Sequence, residues 1–140
     1  MIVKGADIQK LILQRMPMLM LDEFEQKEEN SAVTALTVRM DNLFLLADGS
    51  LAETGLIEHF AQSCSALAGY QSQQRGDERA PLGMIAEVKH CRSKRRVLAS
   101  EKIQTQVAFT FSFGSMTIAQ GTCCVGNETI AEIELKIFIQ

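Results

Sequence analysis

Between Ser50 and Tyr70 the chain reads SLAETGLIEHFAQSCSALAGY, and the side chains in it that could do chemistry are Glu58, His59 and Gln62. Glu58, Gln62, Ser65 and Gly69 recur at intervals of three and four, so on a helix they share one face. Leu56, Ile57, Phe60, Ala61, Cys64, Leu67 and Ala68 recur in the same way beside them, an apolar stripe wide enough for the centre of a core. Glu58 thus sits next to the buried stripe rather than opposite it, where a carboxylate can exchange a proton with a bound molecule. The same spacing also suits the wet side of an amphipathic helix, and periodicity leaves both readings open. His59 lies about 100° around the helix from Glu58 and faces elsewhere.

Positioning these residues requires a helix with a defined start. Asp48-Gly49-Ser50 reads as a turn followed by a serine cap, with Glu53 three residues on to reach back to the cap amide, so the helix is predicted to begin near Leu51. It fades in QSQQRGDERAP, a polar segment holding Gly76 and Pro81 that is predicted to be a solvent loop.

Upstream, Asp7 can cap a short helix with Ile8, Leu11 and Ile12 on one face, which Met16-Pro17 should end. Met18 to Glu28 and Ser31 to Met40 read as two strands joined at Glu29-Asn30, with Leu19 and Leu21 apolar in the first and Leu36, Val38 and Met40 in the second. Downstream everything is strand-like: Gly83 to Cys91, Glu101 to Phe113, Met116 to Val125 and Thr129 to Ile139. Ile103, Thr105, Val107, Phe109, Phe111 and Phe113 are predicted to share one face, as are Ala131, Ile133, Leu135, Ile137 and Ile139, with Glu132, Glu134 and Lys136 facing out. Gly114-Ser115 and Gly126-Asn127-Glu128 are turns too short for anything but antiparallel neighbours. Two strands, one long apolar helix and about four antiparallel strands make an α+β domain with a curved sheet around one helix.

With 140 residues, 46% of them hydrophobic, the chain is expected to form one domain, residues 1–140. The net charge of −3 argues against nucleic-acid binding. With no apolar run of about 18 residues and no secretory signal pattern in MIVKGADIQK, the expected location is the cytoplasm, with no membrane association. Cys64, Cys91, Cys123 and Cys124 have neither zinc nor disulfide-framework spacing, and His90 and Cys91, adjacent on a strand, point to opposite faces, so no metal site is expected.

Two motifs resemble a known family. ILQRMPMLMLDEF, Ile12 to Phe24, resembles the HRxPxLLxD signature of β-hydroxyacyl-acyl-carrier-protein dehydratases. DGSLAETGLIEHFAQSCSALAGY, Asp48 to Tyr70, resembles their IExMAQ helix, particularly in the variant found in dehydratase-like proteins of aryl-polyene pigment pathways. The resemblance covers nearly the whole chain. It implies a hotdog fold, a curved antiparallel sheet wrapped around one long central helix, and a dimer in which a histidine of one subunit faces an acid on the other's helix. By position the acid falls on Glu58, the Ala-Gln pair on Ala61-Gln62, and the arginine, proline and aspartate on Arg15, Pro17 and Asp22; the histidine falls on Gln14. Glutamine can donate and accept hydrogen bonds but has no proton to exchange near neutrality, so Gln14 could orient a thioester or a water and not serve as the base.

The resemblance further implies substrate contacts at Pro17, Gly55, Leu56 and Gln62. In place of the glycine that the family often sets at the helix start stands Glu53-Thr54-Gly55-Leu56, where Gly55 suits either close approach of substrate or packing. It implies no bound cofactor but a substrate carried on phosphopantetheine or coenzyme A. Lys89, Arg92, Lys94, Arg95 and Arg96 form the one dense basic run, suited to an acidic acyl carrier protein or simply to a solvated loop. Three functions follow: a dehydratase acting on 3-hydroxyacyl or enoyl thioesters, a hotdog thioesterase using the helix carboxylate, or an inactive acyl-binding or scaffold subunit that pairs with an active hotdog partner. Either enzyme implies a homodimer, a higher oligomer or a heterodimer.

Overall fold

The computed structural model describes residues 1–140. Seven strands form a single antiparallel sheet: β1 Val3–Lys4, β2 Glu23–Glu28, β3 Ser31–Thr37, β4 Gly83–Ser93, β5 Lys102–Phe113, β6 Met116–Val125 and β7 Glu128–Ile139. Their order across the sheet is β1-β2-β3-β5-β6-β7-β4, so β4 closes one edge. One helix of 22 residues, α1 (Glu53–Gln74), lies in the concave side and packs on β3, β5, β7 and β4. This is the hotdog arrangement implied by the two motifs.

The helix is buried nearly all round. Phe60, Cys64 and Leu67 belong to the core against the sheet, while Ser63 and Ser65 are buried as well. Its opposite side is covered by a 3₁₀ helix, Gly5–Lys10, and the irregular chain up to Asp22, with Ile8, Leu11, Ile12, Met20 and Leu21 buried. Contact is close enough that two glycines are obligatory. A Cβ on Gly69 would lie 2.0 Å from the Leu11 carbonyl oxygen, and one on Gly121 of β6 would lie 2.0 Å from the Gln106 carbonyl oxygen and 2.6 Å from the Phe60 ring.

Four boundaries differ from the sequence reading. Ser50 does not cap α1: its hydroxyl and amide both donate to Asp48 Oδ1, at 2.6 and 3.0 Å, and Leu51 is tied to Val97 through its amide. The helix therefore starts only after Ala52, without a side-chain cap, and runs four residues past Tyr70. Asp7 lies inside the 3₁₀ helix rather than capping it. The first long strand starts at Glu23 instead of Met18, because the preceding backbone is hydrogen-bonded to side chains of α1; the Met16–Pro17 peptide within that stretch is cis. Finally, β3 ends at Thr37, with Val38 buried and Met40 exposed.

The last difference concerns β5. Ile103, Thr105 and Val107 face the core as expected, but a bulge at Thr110 shifts the register, so that Phe109 pairs with Ala119 and Phe111 with Ile118. One extra residue turns every later side chain over. Ser112 now points inward, 3.1 Å from Thr117 Oγ1, and Phe111 and Phe113 lie exposed on the outer face. On β7, by contrast, Ala131, Ile133, Leu135 and Ile137 are all buried on one face, as their alternation requires.

Candidate active site

The three- and four-residue spacing along α1 places Glu58, Ala61 and Ser65 on the side facing the start of β4, and the chain between the 3₁₀ helix and β2 brings Gln14 over the same spot. Gln14, Glu58, Ala61, Ser65, Gly83, Met84, Ile85 and Ile137 together line a cavity of about 250 Å³. The two polar residues that the motifs singled out therefore meet within one chain. A larger groove of about 650 Å³ crosses the outer face of the sheet between Lys27, His90, Gln106, Gln120 and Glu132, and none of the motif residues reaches it.

Gln62 sets the geometry of this cavity without touching it. Its Oε1 accepts from the Met20 amide at 2.7 Å, and its Nε2 donates to the Met18 carbonyl and to Glu58 Oε2, each at 2.8 Å. A backbone N–H on one side and a backbone carbonyl on the other fix which end of the amide is oxygen, so the bond to Glu58 can only be a donation. Gln62 is fully buried, which corrects its expected role as a substrate contact. It holds Glu58 and staples the Met18–Met20 backbone to the helix.

His59 holds the same segment from the adjacent position. Its Nδ1 is 2.8 Å from the Met20 carbonyl oxygen and its Nε2 2.8 Å from Thr105 Oγ1. The carbonyl can only accept, so Nδ1 carries the proton and Nε2 accepts from the threonine hydroxyl. Burial pushes the imidazole pKa down to about 4, against the partial compensation of the Met20 bond. A neutral, enclosed ring facing the sheet cannot replace the missing histidine as a base. His90 lies on exposed β4, paired with Glu134 on the outer face, while Cys91 pairs with Ile133 on the inner one.

Gln14 contributes an unusual group: its Oε1 is buried and has no hydrogen-bond partner. A buried acceptor left unpaired is costly unless something outside the chain donates to it. The rest of the first motif is architectural. Arg15 donates to the carbonyls of Gln9, Ile12 and Gln14, tying the end of the 3₁₀ helix to the loop, and Asp22 Oδ2 accepts from the Thr37 amide at 2.7 Å.

The remaining expected contacts are redistributed. Pro17 is exposed and outside the cavity lining. Leu56 is 3% exposed and belongs to the core. Gly55 is packed by the chain itself, since a Cβ there would stand 2.5 Å from Phe44 Cβ, so the approach it permits is that of Phe44 and not of a ligand. Sequence reasoning missed Ser65, Gly83 and Ile85. Ser65 shared the face of Glu58 at helical spacing, but nothing in the sequence says that the start of β4 would be laid against it. A Cβ on Gly83 would stand 2.8 Å from Ser65 Oγ.

Of the basic run, Arg95 is committed elsewhere: its guanidinium pairs with Glu101 and Glu128 at 2.9 and 3.1 Å, and Arg95 holds the Glu101 carboxyl below the usual carboxylate range. This corrects its assignment as a free carrier-binding cation. Lys89, Arg92, Lys94 and Arg96 remain exposed along β4 and the turn after it.

The chain resembles a chain of the dehydratase heterocomplex ApeI:P from Xenorhabdus doucetiae, with a TM-score of 0.87 at 18% identity over 95% of this chain and 90% of that one. It also resembles a hypothetical thioesterase from Streptococcus pneumoniae TIGR4 solved with coenzyme A, TM-score 0.65 at 8% identity over 84% of each chain. A third likeness is to the E. coli PaaI protein from the phenylacetic acid degradation operon, TM-score 0.60 at 14% identity over 86% of this chain and 79% of that one. At such identities these likenesses establish the hotdog fold. No curated protein sequence matches the chain. The model of the ApeP-like family, described as ApeP dehydratase, matches residues 6–140, and this chain belongs to the ApeP-like dehydratase family.

Proposed function

We propose that this chain binds a 3-hydroxyacyl or enoyl thioester, carried on the phosphopantetheine of an acyl carrier protein or on coenzyme A, and that Glu58 moves the proton that interconverts them. The observation supporting this reading is that Glu58, held at one oxygen by Gln62, and Gln14, with an unsatisfied amide oxygen, open into one cavity. Dehydration breaks the C2–H bond and the C3–O bond and releases water. One carboxylate can serve both ends, taking the C2 proton and returning it to the departing hydroxyl. Gln14 Oε1 accepts the hydrogen bond of the 3-hydroxyl and aims it at Glu58, while the amide N–H is a donor for the thioester oxygen as charge develops there.

The same site is shared with a second hotdog chain. β4 is an open edge whose Met84, Ile85 and Val88 are exposed, as is Leu82 just before it, and an apolar unpaired edge invites another strand. Gly83, Met84 and Ile85 of that edge line the cavity, so a strand added there borders Glu58 and Gln14. Antiparallel pairing about Val88, the middle of β4, keeps both helices on one side of a continuous sheet. In one chain Arg92 lies roughly 23 Å from Ile85 along the strand. Across such an interface the second chain's Arg92 and Lys94 come beside this chain's cavity, where with Lys89 and Arg96 they suit an acidic carrier protein. The relative solved as a heterocomplex favours a partner subunit over a second copy.

The test is turnover of 3-hydroxyacyl carrier proteins, by the chain alone and with a hotdog dehydratase partner, followed by mass spectrometry for water loss and acyl release. Water loss that falls at least about 100-fold in Glu58→Gln is expected. Acyl release without water loss would make the chain a thioesterase. No turnover in any combination, with activity appearing only in Gln14→His, would make it a binding subunit whose chemistry lies elsewhere.

A further inference from the structure

The bulge at Thr110 builds a surface on the side of the sheet away from α1, and this surface borders the cavity only at its β4 end, where Met84 also lines the cavity. Across four strands the register aligns Met84 of β4 with Phe138 of β7, Phe138 with Met116 of β6, and Met116 with Phe113 of β5. Directly opposed residues on neighbouring strands share a face, so these four form one row, and Phe111 and Ile118 form part of the next. Phe113 is 75% exposed, Phe111 56%, Met84 48% and Phe138 39%. Further along the strands the outer face turns mostly polar, carrying Gln104, Gln106, Gln120, Thr122 and Glu132 around the smaller Val33 and Ala108. Without the bulge Phe111 and Phe113 would point into the core, and the row would have no aromatic end.

We propose that this face docks a second copy of the chain, sheet to sheet across a two-fold axis running along the strands between Phe138 and Met116. Such an axis reverses the row, so that Phe113 meets the second copy's Met84 and Met116 meets its Phe138; every aromatic ring faces a thioether, a favourable pairing. Phe and Met are also the side chains that protein interfaces concentrate. The exposed apolar area of the row and its neighbours is roughly 400–500 Å², which is the apolar share of one standard interface face of about 800 Å². The polar residues around it supply the rim. Because the face lies behind the sheet, this contact is compatible with a strand added along β4 and does not rest on the catalytic reading.

The experiment is the mass of the full chain in solution at tens of micromolar, by light scattering or sedimentation, for the wild type, Phe111→Ser/Phe113→Ser, Phe138→Lys and, as a control on the polar part of the face, Gln104→Glu. All four of these residues are exposed on the outer face, and unchanged circular dichroism checks each fold. The expected result is that both patch variants have half the wild-type mass and the control has the same mass. Val88→Pro, which spoils the β4 edge, separates the two interfaces: it removes an edge-paired species and leaves the face-paired one. Equal masses for wild type and the folded patch variants would overturn the proposal, whether the face stays bare or a different chain covers it.

Discussion

With its oxygen taken by the Met20 amide and its amide protons by Met18 and Glu58, Gln62 links the fold to the chemistry. Gln62→Met, similar in shape but with neither donor nor acceptor, leaves a buried N–H and a carbonyl unpaired and should cost about 2–4 kcal/mol in urea denaturation. It should lower kcat more than it raises KM, because Glu58 loses its anchor while the cavity walls stay. Glu58→Gln, in contrast, can still accept from Gln62, so stability should change little while water elimination falls at least about 100-fold. His59 makes a prediction of its own. The buried ring titrates at about 4, and in the unfolded chain at 6.5, so the unfolded state binds the extra proton between those values. The stabilisation is complete above pH 6.5 and declines as the pH falls toward 4, by roughly 3 kcal/mol for a shift of this size. Unfolding free energies across that range should show the slope, and His59→Gln should flatten it.

At the scale of the element, α1 depends on how near its neighbours can come. Gly69→Ala would drive a methyl into the Leu11 carbonyl, and because that carbonyl is backbone the 3₁₀ helix must back away. A loss of about 1–3 kcal/mol with an unchanged denaturant slope is expected. Gln14 rides on the chain that would be displaced, so a weaker substrate interaction should accompany the loss. Much of this was legible: the helix, the hairpin at Glu29-Asn30, the four later strands and the turns at Gly114 and Gly126 all follow from periodicity and turn chemistry. What was not legible had local causes. Asp48 competed successfully for the Ser50 hydroxyl, and the bulge at Thr110 broke a six-residue alternation that reads as unbroken in the sequence.

For the whole molecule the question is which surfaces remain open. Residues near β4 join three features that lie apart in the sequence: the cavity at Gly83–Ile85, the free cations Arg92, Lys94 and Arg96, and the apolar edge between them. With the edge paired in the working protein, Val88→Pro should cost the edge-paired species and turnover together, while Arg92→Glu should slow reaction with a carrier-protein substrate and leave a small acyl thioester unaffected. Turnover of the two substrates side by side, with the mass of each variant, checks this. The structure has no helix long and apolar enough to cross a membrane.

The sequence by itself determined the α+β class and the place of Glu58 as the carboxylate beside the core, because residue types and helical spacing are local properties, and the resemblance of the first motif put Gln14 where the family has its histidine. Only the tertiary structure decided that Gln14 and Glu58 share one cavity, that Gln62 works behind the site instead of in it, that Leu56 and Gly55 are packing residues and that Arg95 is spoken for. The physical reason is the same in each case. Whether a polar group is available to a ligand depends on what else reaches it, and those partners, Met18 and Met20, Phe44, Glu101 and Glu128, are set by the closure of the sheet around the helix and not by any spacing along the chain.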